Sequence, residues 1–302
     1  MKSPEPHITV KRPGLIALAL LIGLAAVSTA ASDNRSSRTL RTMARAYVAF
    51  GQYDKAHLLA TQALARAQTH ADPDELAMCL IDLGTVCQYQ DKLDTARQML
   101  AAGIAIQKQA PLTNPYIAHT LRMLSSVYRR LQQYENARTT LDEAITIMLD
   151  QHTPEDPALA FFRAEQARLL ADLGDIDRAA NLCRQALSAV ESLYGPEHLC
   201  TAGLAQEMAA LDLKQGRFDE AQTRIDQTIR IRQRYHGPRH TATIDAILLK
   251  AQICRAAGDF AASEQQIAAA LAAAAAIRDP VRLSQLHHQA AQIRNNVHIA
   301  KL

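Results

Sequence analysis

The stretches "LGDIDRA" (173–179) and "QGRFDEA" (215–221) follow one pattern: a bulky apolar residue, then an acid, then an alanine three residues after the bulky one. Related stretches occur six times along the chain, and their bulky residues are 40 to 42 positions apart. Those residues are Tyr53, Leu93, Tyr134, Ile176, Phe218 and Phe260. A fixed period of this length predicts a repeated supersecondary unit.

Each repeat has room for two helices, one on either side of its bulky residue. In the third repeat we expect the first helix over 117–131 and the second over 135–149, where apolar residues recur at helical spacing. An acid begins the second helix in five of the six repeats, where the helix dipole and free N–H groups stabilise negative charge. These acids are Asp54, Asp94, Glu135, Asp177 and Asp219.

Two positions in every repeat carry only small residues. Nine residues before the bulky residue stand Ala44, Gly84, Ser125, Ala167, Ala209 and Ala251. Three residues after it stand Ala56, Ala96, Ala137, Ala179, Ala221 and Ser263. Two antiparallel helices cross closely only where neither carries bulk, so these positions predict a helical hairpin. Since one hairpin cannot bury its own apolar face, stacked hairpins are expected.

Two links between repeats, "GPEHLCTA" (195–202) and "GPRHTAT" (237–243), share a Gly-x-x-His pattern. Together with the period, they resemble tetratricopeptide repeats (TPR), and more narrowly the long-period repeats of kinesin light chains, over residues 38–277. The resemblance implies an all-α fold: a right-handed α-solenoid of about six antiparallel helix-pair repeats plus a C-terminal capping helix. Asp212 and Lys250 depart from it, because an apolar first-helix residue is expected at both positions.

The expected organisation has four segments. A signal segment at 1–30 and a short linker at 31–37 precede the six repeats at 38–280, and a capping helix with a tail follows at 281–302. The capping helix carries one apolar stripe, formed by Leu286, Ala290, Ile293 and Val297.

The first 30 residues have the pattern of an export signal. Three basic residues precede an uncharged apolar run at 15–27, and Ser28 and Ala30 fit cleavage after residue 30. The run has 13 residues, fewer than the about 20 that a spanning helix needs. We expect a cleaved signal and a periplasmic or secreted protein; the alternative is an uncleaved anchor through residues 14–31.

Composition argues for a helical protein and against several classes of function. The chain has 302 residues, of which 48% are hydrophobic and 4% aromatic, which suits a helical globular chain. Removing residues 1–30 takes away three bases and one acid, and so lowers the net charge from +3 to +1. A near-neutral chain without a basic tract gives no indication of nucleic-acid binding.

Five cysteines occur at irregular spacing, with no CxxC pair. Most fall within helical patterns, where Cys is expected to behave as a small buried hydrophobe. The odd number leaves at least one thiol unpaired in a monomer, and one disulfide stays an open alternative if the protein is exported. The cysteines are Cys79, Cys87, Cys183, Cys200 and Cys254.

His236 and His240 flank a Gly-Pro pair and raise the question of a metal site. Such a bend does not aim both imidazoles at one ion as an i, i+4 pair on a helix does, so loop structure is favoured. The chain has no Gly-rich phosphate loop, HExxH or GxSxG, so we predict no catalytic residue, metal or cofactor. At the corresponding places the two preceding repeats have Tyr194 with His198, and His152 with Asp156, which keeps a weak ligand alternative open.

The TPR resemblance implies a peptide groove on the concave side, lined by first-helix residues twelve, eight and five positions before each bulky residue. Six of these lining residues are Arg and none is acidic, so an acidic extended segment is a natural guest. The alternative is a solvated face whose charge bias is balanced by other residues. The candidate groove residues are Arg41, Arg45, Gln88, Arg122, Ser126, Arg129, Arg168, Gln206, Gln252 and Arg255.

These features together predict an exported, non-catalytic scaffold that holds a protein or peptide partner. The alternatives are a regulatory or accessory subunit of an enzyme or envelope assembly, and a catalyst whose site the repeats conceal. We expect no nucleic-acid partner, and no membrane insertion except through residues 14–31.

Overall fold

The computed structural model describes residues 36–69, 72–109, 116–153, 156–275, 277 and 280–295. Most of these residues are helical, and no strand occurs among them. The export prediction, which rests on residues 1–30, lies outside the described residues. None of the helices in the described ranges has the length and hydropathy needed to cross a membrane.

Thirteen α-helices occur in the described part of the chain, and contacts divide the chain into two compact units, residues 1–127 and 128–302. The first unit holds α1 (Ser37–Ala49), α2 (Tyr53–Thr69), α3 (Pro73–Tyr89), α4 (Leu93–Gln107) and most of α5 (Tyr116–Arg130). The second unit holds the last turn of α5, then α6 (Tyr134–Leu149), α7 (Ala160–Asp172), α8 (Ile176–Tyr194), α9 (Leu199–Lys214), α10 (Phe218–His236), α11 (Thr241–Ala256), α12 (Phe260–Ala274) and α13 (Pro280–Asn295).

All six bulky repeat residues are the first residue of the second helix in their repeat, as the bounds of α2, α4, α6, α8, α10 and α12 show. Three residues separate the first helix from the second in every repeat. Connections this short fold the two helices back as a hairpin. Helix pairs therefore form where the period predicts them.

One left-handed residue turns the chain at each bend, two positions before the second helix. Four of these residues are glycine, which adopts positive φ without steric cost. Asp91 and Gln132 adopt it in the other two repeats, at φ 62° and 58°. The glycines are Gly51, Gly174, Gly216 and Gly258.

All twelve small residues are buried, and contacts in the second and last repeats show that they lie where the paired helices cross. A Cβ added to Gly84 would lie 2.9 Å from Cγ of Leu100 on the paired helix. In the last repeat the Ser263 hydroxyl donates to the carbonyl of Ala251 at 2.9 Å, so the two small positions contact each other directly. The predicted close crossing is confirmed.

The Gly-Pro-x-His links end one helix and begin the next in the second unit. Gly195 follows α8 at φ 84°, and its N–H donates to the Glu191 carbonyl. Gly237 follows α10 in the same way, and its N–H donates to the Gln233 carbonyl. Thr201 and Thr243, six residues after each glycine, donate their hydroxyls back to the glycine carbonyls at 2.7 and 2.9 Å. The links are therefore compact turns fixed at both ends.

Both link histidines cap the helix that follows them. Nδ1 of His198 accepts from the Cys200 N–H at 3.1 Å, and Nδ1 of His240 accepts from the Ala242 N–H at 3.2 Å. Each ring also stacks on the last residue of the preceding helix, with centroids 4.8 Å apart for Tyr194–His198 and 4.3 Å for His236–His240. Both histidines therefore have a structural role in their links.

The two residues that depart from the apolar pattern are held by opposite charges. Asp212 is buried and its carboxylate accepts from Arg217 and, at 2.6 Å, from Arg224. Nζ of Lys250 lies 2.7 Å from a carboxylate oxygen of Asp226 on α10. Pairing satisfies both charges within the fifth and sixth repeats.

Helix α13 covers the last repeat, as the sequence predicts. Leu286, Ala290 and Ile293 are buried in a cluster that includes Ile244 and Ile267. Ion pairs from Arg282 to Asp245 and from Arg294 to Glu264 add to this contact. Val297, predicted on the same stripe, lies outside the described residues.

We expect the His236–His240 stack to make the second unit less stable in acid. Burial, and then the nearby Arg232 charge, lower the pKa of His236 below its ordinary 6.5. His236 therefore binds a proton more readily in the unfolded chain than in the folded one. Protonation favours unfolding, so the free energy of unfolding decreases as the pH falls below about 6.5. His236→Tyr copies the Tyr194 stack without the titrating group and should reduce the fall of Tm between pH 7 and pH 5.

Tyr194→His is the reciprocal variant and should steepen that fall. Thermal unfolding followed by circular dichroism measures both variants. Equal pH dependence in wild type and His236→Tyr would show that the titration of His236 is not coupled to folding.

Candidate functional site

A cleft of about 190 Å³ lies in the second unit between the first helices of the fourth and fifth repeats, α7 and α9. Its floor is formed by small side chains of α7 (Ala164, Ala167 and Ala171) and by Ala210 of α9. Ala164 and Ala167 are buried, whereas Ala171 and Ala210 are half-buried. Alanine at these positions leaves open volume that larger side chains would fill.

Several residues that the TPR resemblance implied as groove lining meet in this cleft. The three lining positions of the fourth repeat are occupied by Ala164, Arg168 and Ala171. The third and fifth repeats contribute one lining position each, Arg129 and Ala210. The structure therefore brings the predicted lining of three successive repeats together within the second unit.

A buried carboxylate holds the two arginines of the cleft. Glu165, which is 1% exposed, accepts from Arg129 Nε at 3.0 Å and from Arg168 Nη1 at 2.7 Å. Burial alone would raise the pKa of Glu165, but the charges and hydrogen bonds of Arg168 and Arg129 more than offset this and hold it below its ordinary value. Glu165 is thus a fixed anion that orients both guanidinium groups.

Two further carboxylates flank the same arginines at the rim. Arg129 Nη1 donates to Asp172 at 2.6 Å, and Arg168 Nε lies 3.3 Å from Glu207 on α9. Burial alone would lower the pKa of Arg168, but the charges of Glu207 and Glu165 more than offset this and raise it above its ordinary value. Carboxylates and guanidinium groups therefore alternate along the cleft.

The first unit shows the same arrangement on its first-helix face. Asp82 of α3 accepts from Arg41 Nε at 2.7 Å and from Arg45 Nε at 2.9 Å, and Arg41 also donates to Glu75 at 2.8 Å. Asp82, Glu165 and Glu207 all stand eleven residues before the bulky residue of their repeat. Acids next to the implied lining positions thus neutralise most of the arginine excess.

The remaining candidate residues do not form one cationic surface. Gln88 donates to Ser126 at 3.4 Å, and Gln206 accepts from Arg232 at 2.5 Å. Arg255 donates to the Arg294 carbonyl in α13 and lies over the ring of Phe260. Arg122 lies near His119, whose pKa is lowered first by burial and then by the Arg122 charge. Gln252 is half-buried in α11.

Lys214 is the exception among the bases of the cleft. It is exposed at the C-terminal end of α9 and forms no ion pair with any described residue. The lining positions implied by the resemblance do not include it, since it lies four residues before Phe218.

All five cysteines are free, and four of them are buried. Burial raises the pKa of the Cys79 and Cys183 thiols to about 12 and that of Cys87 to about 11. The prediction of small buried hydrophobes is confirmed for these three. Within the described ranges, no three His, Cys, Asp or Glu side chains are grouped so that they could hold a metal ion.

Removing the buried anion should destabilise the protein. Glu165→Ala leaves two partly buried guanidinium groups undercompensated and should lower the free energy of unfolding by about 3 kcal/mol. Glu207→Ala removes an acid that is 36% exposed and should cost less than about 1 kcal/mol. Urea unfolding measures both, and equal costs would contradict the role given to Glu165.

Comparison with known proteins identifies the family. A model of the MalT-like TPR region matches residues 38–294. No curated protein sequence matches the chain.

Three solved structures illustrate the likeness. NprR in complex with its cognate peptide NprX is 12% identical, with a TM-score of 0.67, and the match covers 88% of this chain and 74% of NprR. A Rap protein complexed with competence and sporulation factor is 11% identical, with a TM-score of 0.61, covering 87% of this chain and 76% of Rap. A variant of a kinesin light chain-like protein with nearly identical TPR-like repeats, from Podosopora anserina, is 22% identical, with a TM-score of 0.49. The match covers 65% of this chain and 94% of that chain.

The family match covers all thirteen described helices except the first residue of α1 and the last residue of α13. The predicted all-α solenoid of TPR-like helix pairs is confirmed. The chain belongs to the MalT-like TPR region family.

Proposed function

We propose that this protein is a non-catalytic scaffold that binds an extended peptide segment of a partner in the cleft between α7 and α9. The cleft carries the proposal, because it joins an open alanine floor to a fixed polar rim. Concave sites of this kind, apolar with a few placed polar groups, are where proteins bind ligands.

The family and the structural likeness support this function. Helical-hairpin repeats present first-helix side chains along a continuous surface, which suits an extended guest. NprR and Rap, which share the fold, are each seen with a peptide or factor bound. No motif for nucleophilic or phosphate chemistry was found in the sequence, which agrees with a binding role.

Binding in this cleft does not require an acidic guest. The arginines that suggested one already donate to Glu165, Asp172 and Glu207. Reversing the charge of Arg129 would therefore break internal ion pairs as well as any contact with a guest. A test of the cleft must change its volume and leave its charges in place.

Filling the cleft should abolish peptide binding. Ala210→Phe places a ring on the floor without removing any ion pair, so the guest loses its space. Ala269→Phe adds the same ring to an exposed position of α12 and should leave binding unchanged. A random peptide display library panned against wild type and both variants measures this.

The expected result is enrichment by wild type and Ala269→Phe, and recovery at least about tenfold lower with Ala210→Phe, a loss of about 1.4 kcal/mol. Circular dichroism checks that both variants stay folded. Equal enrichment by all three proteins, or none by wild type, would contradict binding in this cleft.

We also propose export, supported by the signal-like pattern of residues 1–30. Cell fractionation followed by mass spectrometry of the N-terminus should place the protein outside the cytoplasm and find a chain that begins at Ala31. A cytoplasmic protein with an intact N-terminus would contradict export, and a membrane-bound intact chain would support the anchor.

A further inference from the structure

The cleft between α7 and α9 carries as many positive as negative side chains. Three are cations and three are carboxylates: Arg129, Arg168, Lys214, Glu165, Asp172 and Glu207. Their formal charges sum to zero. A guest therefore gains little from a net charge of either sign, because a charge attracted to one rim group is repelled by the next.

The charged groups nevertheless keep unused hydrogen-bonding capacity. Each guanidinium has five N–H donors, and the Nη2 groups of Arg129 and Arg168 make no hydrogen bond to any described residue. On the acceptor side, Asp172 and Glu207 each use one carboxylate oxygen in the ion pairs with these arginines. Donors and acceptors thus both remain available at the rim.

These groups are held in place before any guest arrives. Glu165 lies beneath the rim and binds both arginines, so their side chains are already ordered when a guest binds. Ordering a free arginine on binding would cost conformational entropy, which a preorganised one does not. The rim is therefore suited to hydrogen bonding at fixed positions.

An extended peptide main chain matches this rim. Its carbonyls accept and its N–H groups donate, and both kinds recur along the strand without any net charge. The alanine floor next to the rim leaves open volume for one side chain of such a strand, and contact with Ala171 and Ala210 favours an apolar one.

We infer that the cleft recognises an extended peptide through its main chain, with one apolar side chain of the guest on the alanine floor and no preference for net charge. This inference rests on the proposed function and specifies its ligand class. The guest's carbonyls accept from Arg129 and Arg168, and its N–H groups donate to Asp172 and Glu207.

The probe is a random display library of ~10-residue peptides without free termini, panned against wild-type protein and against Ala210→Phe. The pool that wild type enriches and Ala210→Phe loses should share one Leu, Ile, Met or Phe position. Its mean net charge should equal that of the unselected library. Raising the wash salt from about 0.05 to about 0.5 M should change recovery less than about twofold, because little of the binding is between net charges.

The most enriched peptide is then synthesised with N-methyl groups at the two amides that flank the apolar residue. Methylation removes main-chain donors without changing charge, and we expect about a tenfold loss of affinity. Methylation at the two peptide ends is the matched control and should change affinity less than about twofold. Fluorescence polarisation measures all three peptides.

Distinct results separate the inference from the proposed function. A pool rich in Asp and Glu that is lost at high salt, or equal affinity of the methylated peptides, would overturn main-chain recognition while leaving peptide binding intact. A pool that Ala210→Phe retains in full would overturn the binding site itself.

Discussion

Close crossing of the two helices of a repeat, within each unit, is the constraint on which the rest of the structure depends. A three-residue connection forces the helices back along each other, and only small side chains fit where they meet. At Gly84 even one added methyl group would lie 2.9 Å from a Leu100 side-chain carbon. Within each unit, pairs closed in this way place neighbouring first helices side by side, so that their residues form a row.

That row explains both the ion pairs and the cleft. In three repeats an acid stands eleven residues before the second helix and pairs with an arginine of the preceding repeat. Asp82 and Glu165 thereby join neighbouring first helices within their own units. Where the same helices carry alanine, at Ala171 and Ala210, the row opens into a cleft. The stabilising ion pairs and the proposed binding cleft thus use adjacent positions of one helix face, and the pairs that stabilise the fold also order the rim.

The sequence was sufficient for the repeats but not for the electrostatics of the site. Period and small residues predicted the helix pairs, because these features depend on local spacing alone. The TPR resemblance directed attention to three positions per repeat, which include Arg168 and Ala171 of the cleft, and passed over the acid at the adjacent position. Arg129 seemed free for a guest, whereas its partner Glu165 is 36 residues away and becomes visible only after folding.

Two local features show the same limit. The left-handed bend residues could be expected at Gly174 but not at Asp91 or Gln132, since only glycine signals positive φ in a sequence. Asp212 looked like a packing defect, yet Arg217 and Arg224 approach it from the following turn and helix. Charge pairs across a bend therefore become visible only in the folded structure, whereas the bend itself can be predicted from the sequence.

Photo-crosslinking tests the central claim most directly. A selected peptide that carries a diazirine in place of its apolar residue is irradiated with the full-length protein, and the adducts are located by mass spectrometry. The account predicts adducts on α7 and α9, at or next to Ala171 and Ala210. Adducts confined to the second helices, such as α10 or α12, would contradict binding on the first-helix face.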